Sequence, residues 1–150
     1  MISRRRLLRQ VIGAAAAVAL WPRALLATPE VRDQVLRELT GGRPVNDGKV
    51  TLTIPAIAEN GLSVYTTVVV DSPMTADDHV RTIHILAEKN PIARLATFHL
   101  GPPSGVAQVS TNIRLAASQQ IMALAELSDG TFWQDRRDVL VTLAACIDGG

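Results

Sequence analysis

The chain has 150 residues, one cysteine and nearly balanced charge, with 15 Lys and Arg against 14 Asp and Glu. That length suits one ordinary domain, and a lone cysteine excludes an internal disulfide. Aromatic residues are only 3 % of the chain and no basic stripe occurs, so the stacking platform and phosphate-tracking surface of a nucleic-acid binder are absent.

The N-terminus reads Ser3-Arg4-Arg5-Arg6-Leu7-Leu8-Arg9 and runs into an apolar stretch from Val11 to Leu20. A charged segment followed by a short apolar one is the pattern of a secretory signal. Arg4 and Arg5 behind a serine, with leucines after them, match the twin-arginine type, and cleavage is expected after Ala27. The apolar run is too short to cross a bilayer core, and no second run follows, so no membrane span is expected in the mature chain. Export to the periplasm by the twin-arginine route is the expectation. Losing residues 1–27 removes five basic residues and no acidic ones, which leaves ten against fourteen and a net charge of −4.

Residues 28–48 read as a helix and linker. Thr28-Pro29-Glu30 supplies a capping hydroxyl, a first-turn proline and an acid at the positive dipole end. Val31, Val35 and Leu39 then recur on one face with Leu36 beside them, and Gly41-Gly42 ends the helix.

From residue 49 to 143 the period is two. Apolar alternation marks strands at Val50–Ile54, Leu62–Val70, Val80–Ala87, Ala93–Leu100, Val106–Leu115, Ile121–Leu127, Thr131–Asp135 and Val139–Ala144. Asn60-Gly61, Ser72-Pro73, Asn90-Pro91, the Gly101–Gly105 turn and Asp129-Gly130 separate them. The Ala-rich stretch Leu115–Leu127 is compatible with helix, but the hairpin signal after it favours strand. About eight short strands at regular spacing predict an all-β antiparallel sandwich with one short N-terminal helix.

His79, His84 and His99 fall in or beside different strands, and with Met74 and Met122 they offer donor types that copper accepts. None has the close ligand spacing of a metal motif, so ordinary hydrogen bonding is the expectation and no metal or resident cofactor is assigned. Asp77-Asp78 ahead of His79 reads as a solvated loop. No Gly-x-Ser-x-Gly elbow or phosphate-binding glycine loop is present, so the expectation is a protein that is not an enzyme.

Cys146 stands apart, on a tail of residues 144–150. Ala144 and Ala145 precede it, and Ile147, Asp148, Gly149 and Gly150 follow. A thiol near a chain end can enter another protein's pocket, and as thiolate it forms bonds to sulfur species or to another thiol. A small apolar residue finishing the last strand is the plain alternative.

The sequence resembles the SoxY family, the substrate-carrying subunits of the SoxYZ complex of thiosulfate oxidation. The likeness lies in the signal, Gly48–Pro55, Ala58–Gly61, Val70–Met74, Asp78–Val80, Lys89–Pro91, Val109–Ala116, Ala123–Gly130 and the closing strand with its cysteine. The resemblance implies an immunoglobulin-like sandwich, a heterodimer with a SoxZ-like subunit, and covalent attachment of sulfur intermediates at Cys146. It also implies a haem enzyme that couples thiosulfate to that cysteine and a hydrolase that releases sulfate. A molybdenum–haem enzyme acting on the remaining sulfur is a further implication, while a disulfide-linked dimer through Cys146 belongs to the alternative in which this thiol has another duty.

The tail departs from the family's glycine-flanked cysteine arm. Ala144 and Ala145 narrow backbone freedom relative to glycine, Ile147 is stiff at χ1, and Asp148 repels anionic sulfur species at short range. A second departure is Leu62-Ser-Val-Tyr65, where the family runs to Val-Pro. The alternative function is therefore a divergent paralogue that serves as a partner-binding or metal-binding periplasmic scaffold.

Overall fold

The computed structural model describes residues 28–143. The signal with Arg4 and Arg5, and the tail Ala144, Ala145, Cys146, Ile147, Asp148, Gly149 and Gly150, lie outside the described residues.

Helix α1 spans Pro29–Thr40 and stops at Gly41, whose φ of 61° is the left-handed conformation glycine adopts freely. Nine strands follow among the described residues. They are β1 (Val45–Asp47), β2 (Val50–Thr53), β3 (Ile57–Asn60), β4 (Val64–Val70), β5 (Val80–Ala87), β6 (Arg94–His99), β7 (Gln108–Ile113), β8 (Gln119–Leu127) and β9 (Phe132–Leu143). One sheet has the order β2-β4-β7, the other β1-β9-β8-β5-β6 with β3 also on β9. The all-β sandwich with one short helix expected from the sequence is what forms. All pairings are antiparallel except those of β1 and β3, which run parallel to β9.

The core lies between the two sheets. Val50, Leu52, Val64, Val68, Val70 and Ile113 from the small sheet meet Val80, Ile83, Ile85, Ile121, Ala123, Ala125 and Val139 from the large one. Alternation decides this directly in β4, where Val64, Thr66, Val68 and Val70 are buried while Tyr65 and Val69 face water. The outer face of the large sheet is also partly apolar. Leu86, Met122, Leu124 and Phe132 are fully buried there, on the side away from the main core. Helix α1 lies over this face. Its buried Arg32 reaches Glu88 and Gln120 on the sheet, and beyond the helix the Arg43 guanidinium sits 4.6 Å from the Phe132 ring centroid. The protein is thus three layers: helix, six strands, three strands.

Asp135 fastens the two sheets. Its carboxylate accepts the backbone N–H of Leu52 at 2.9 Å, which serves a donor on the open edge of β2. Asp135→Ala leaves that N–H without its charged acceptor and is expected to cost about 2 kcal/mol. The check is a lower urea midpoint with an unchanged slope.

The strand boundaries differ from the sequence reading in three places. Thr131–Asp135 and Val139–Ala144 form one continuous strand as far as Leu143, because Arg136, Arg137 and Asp138 stay in the ladder with their side chains exposed. The other two differences are β1 and β3, which carry no alternating signal. They form because β9 is long enough to pair with both along its free edge.

Candidate functional site: the root of the cysteine tail

The last described strand, β9, ends at Leu143, three residues before Cys146, the expected attachment residue. Pairing of β9 with β8 runs from Glu126↔Phe132 to Gln119↔Val139 and stops. Beyond Val139, β3 takes over, with Ile57↔Leu140, Ala58↔Val141 and Asn60↔Leu143. The Leu140 N–H donates to the Ala56 carbonyl at 2.8 Å, and the Gly61 N–H donates to the Leu143 carbonyl at 2.9 Å. On the side that β8 has left, Ser118 accepts the Val141 N–H at 2.9 Å. The Thr142 hydroxyl donates to the Glu59 carbonyl at 3.0 Å.

The loops around this root are held together by Asn90. Its side-chain oxygen accepts from the Ala116 N–H at 3.1 Å and from the Gln119 amide at 2.7 Å, while its amide nitrogen donates to the Arg114 carbonyl. Gln119 in turn accepts the Lys89 N–H. All these groups are satisfied, so the platform is rigid. Around it Ile57, Leu62, Leu140 and Leu143 are exposed, Leu143 by 69 %. A short extended chain advances at most about 3.3–3.6 Å per residue, so the Cα of Cys146 reaches no further than roughly 10 Å from Leu143. A recess beside Lys49, Asp71 and Gln108 lies at the opposite end of β4 and has no part in this geometry.

His79 and His84 are held by hydrogen bonds. The His79 ring Nδ1 pairs with the Thr75 carbonyl at 3.0 Å. His84 is buried on the outer face of the large sheet, with Nδ1 2.9 Å from the Thr97 hydroxyl. Burial, then the charges of Arg94 and His99, lower its pKa to about 4. His99 lies on the edge strand β6, and among the described residues no three His, Cys, Asp or Glu side chains converge.

A pH effect follows. The folded state keeps His84 neutral to about pH 4, whereas an unfolded histidine takes its proton near pH 6.5. Stability from this residue is therefore complete above about 6.5 and declines as pH falls toward 4. His84→Gln is expected to flatten that part of the stability profile relative to the unaltered protein, read as melting temperature against pH between 7 and 4.

Four comparisons bear on these features. The family model described as "Sulfur oxidation protein SoxY" matches residues 36–146, from within α1 to Cys146 itself. The sulfur carrier protein SoxY from Chlorobium limicola f thiosulfatophilum superposes with a TM-score of 0.61 at 24 % identity, over 73 % of this chain and 90 % of that one. A superoxide reductase (neelaredoxin) from Ignicoccus hospitalis gives 0.55 at 16 % identity, over 77 % and 94 %. The superoxide reductase from Nanoarchaeum equitans gives 0.54 at 10 % identity, over 64 % and 100 %. At such identities the structural likeness establishes a shared fold. No curated protein sequence matches the chain.

Proposed function

The chain belongs to the SoxY family of sulfur oxidation proteins, and from that premise we propose that it is a sulfur carrier whose load is bonded to Cys146. The observation that carries the reading is that the family match extends past the last described strand and ends on that cysteine. The architecture supports it: a fully hydrogen-bonded platform holds the end of β9 from which the chain continues to Cys146.

In this reading thiosulfate is coupled to the thiol by a haem enzyme. The Cys146 sulfur bonds to the sulfane sulfur of thiosulfate, the thiol proton leaves to water, and two electrons pass to the haem partner. Hydrolysis then releases sulfate and leaves a persulfide on the cysteine. The protein itself is the carrier and not the catalyst. Export by the twin-arginine signal and pairing with a SoxZ-like subunit complete the proposal. The exposed Ile57, Leu62, Leu140 and Leu143 supply apolar area where the tail meets other proteins.

The test is intact mass. The mature protein, with its SoxZ-like partner and the haem coupling enzyme, is incubated with thiosulfate. A thiosulfonate or persulfide adduct on this chain supports the carrier. A protein that binds the partner normally but acquires no adduct sinks the reading in favour of a scaffold.

A further inference from the structure

A free strand edge is a template for another strand, and among the described strands every free edge is blunted except one. β1 and β3 are only three and four residues long. At the edge of β2 the Leu52 N–H is taken by Asp135. β6 carries the exposed Arg94 and His99 and a break in its register with β5. β7 has none of these guards. Its six residues, Gln108–Ile113, include no charge and no proline. Its register with β4 runs unbroken, and its other side pairs with none of the described strands. We propose that the β7 edge binds the same edge of a second copy of this chain, antiparallel, about a two-fold axis at Ser110. This pairing stands apart from the role of Cys146.

The register follows from the backbone. On the β4 side the Ala107 carbonyl accepts the Val70 N–H, and the Leu115 N–H donates to the Gly61 carbonyl. Hydrogen-bonding groups alternate between the two edges of a strand, so those of Gln108, Ser110 and Asn112 point to the open edge. There the Asn112 carbonyl meets only the neighbouring Thr111 hydroxyl, at 3.5 Å. In the two-fold pairing Ser110 lies opposite Ser110 of the second copy, and Gln108 lies opposite Asn112, each pair exchanging both backbone bonds. A two-fold contact sets a strand against itself, so any charge at its centre would face its like. An uncharged strand therefore suits a second copy, where the basic edge of β6 does not. The three outward side chains continue the outer face of the small sheet, where the Thr67 and Ser110 hydroxyls are 2.9 Å apart.

The core also stands open on this side. β2 lies over β8 and β9, so β7, at the other end of the small sheet, lies on the side of β6. Leu95, Phe98, Leu100 and Val109 pack against the core along this seam but are only half-buried. A second copy on β7 covers the seam and removes that apolar surface from water. A six-residue strand pair spans about 20 Å, a contact at the low end of specific interfaces, so the dimer is expected to dissociate on dilution.

The place of Ser110 on the axis allows a charge-swap test. The mature protein, kept under reductant so that no disulfide through Cys146 contributes, is sedimented over a concentration series. The unaltered chain is expected to pass from monomer to dimer as concentration rises. Ser110→Lys and Ser110→Glu, at an exposed position, are each expected to stay monomeric, because like charges then face each other across the axis. An equimolar mixture of the two is expected to recover the dimer. Thr53→Lys puts a charge on the same sheet face but on β2, and is expected to leave the dimer intact. A chain that is monomeric at every concentration overturns the proposal. So does a dimer that survives in both folded Ser110 variants, or a mixture that recovers none. Loss of the dimer in Thr53→Lys would mean that sheet faces stack and would overturn edge pairing. If the chain alone is monomeric and Ser110→Lys instead abolishes binding of a SoxZ-like subunit, the second copy is overturned as the occupant. Should the Ser110 variants not fold, amide exchange in the unaltered chain decides the same point. Protection at Gln108, Ser110 and Asn112 is expected to rise with concentration, and protection that stays constant overturns the pairing.

Discussion

Cys146→Ser is expected to abolish covalent loading by thiosulfate while leaving the fold and partner binding as they are. Serine keeps the size and a hydroxyl, but it lacks the readily formed thiolate and the sulfur–sulfur bond on which the proposed chemistry depends. Within residues 28–143 every buried side-chain nitrogen and oxygen has a hydrogen-bond partner among the described residues. The readout is the intact-mass adduct with the haem coupling enzyme present, which should fall below detection. Melting temperature should stay within a degree or two. An adduct of undiminished yield in the serine variant would place the attachment on another residue and remove the central role of Cys146.

The flanking residues offer a graded version of the same test. Glycine frees the backbone by about 0.5–1 kcal/mol relative to alanine. Ala145→Gly with Ile147→Gly is therefore expected to raise the loading rate several-fold if arm stiffness limits entry into the enzyme's pocket. Melting temperature is expected to stay unchanged, because both positions lie beyond the last strand, which ends at Leu143. A loading rate that does not respond would mean that the partner's pocket accommodates the stiffer arm, and that the departure from the glycine pattern carries no kinetic cost.

The sandwich was legible because its burial alternates cleanly: Val64, Thr66, Val68 and Val70 can be assigned to one face from their spacing alone. The proposal of Cys146 as the attachment residue came from its position and from the resemblance. The machinery at its root was not. β3 (Ile57–Asn60) follows Pro55 and offers one buried residue in four, so no periodicity announces it. Its existence depends on the free edge that β9 presents beyond Val139. Ser118 gives no local signal either, because its hydroxyl is used by a residue 23 positions away. The stripe on α1 was visible as Val31, Val35 and Leu39, but its destination was hidden. In β5 and β8 both faces are apolar, and that pattern does not say which layer covers which face.

That second layer carries the largest stability effect expected here. Phe132 is 1 % exposed and belongs to the outer face of the large sheet with Leu86, Met122 and Leu124. Arg43 lies over its ring, and the same guanidinium donates to the Gly130 carbonyl at 2.9 Å. Phe132→Ala removes buried ring area and leaves a cavity on the outer face of the large sheet, at a cost of about 3–5 kcal/mol. For a domain of this size that lowers the melting temperature by roughly 10–20 °C. Arg43→Ala removes the cation–ring contact and two hydrogen bonds, to the Thr40 and Gly130 carbonyls, and is expected to cost about 1–3 kcal/mol. The contrast between the two separates ring packing from the charge above it. If α1 were merely draped on the sheet, Phe132→Ala would cost less than about 1 kcal/mol and would quicken amide exchange in the helix alone. The expected result is the opposite, with β8 and β9 losing protection together with α1. The Arg32–Glu88 pair fastens the helix near its start, and just past its end Arg43 is held over the Phe132 ring. The helix is therefore part of the cooperative unit that holds β9, and through β9 the root of the tail.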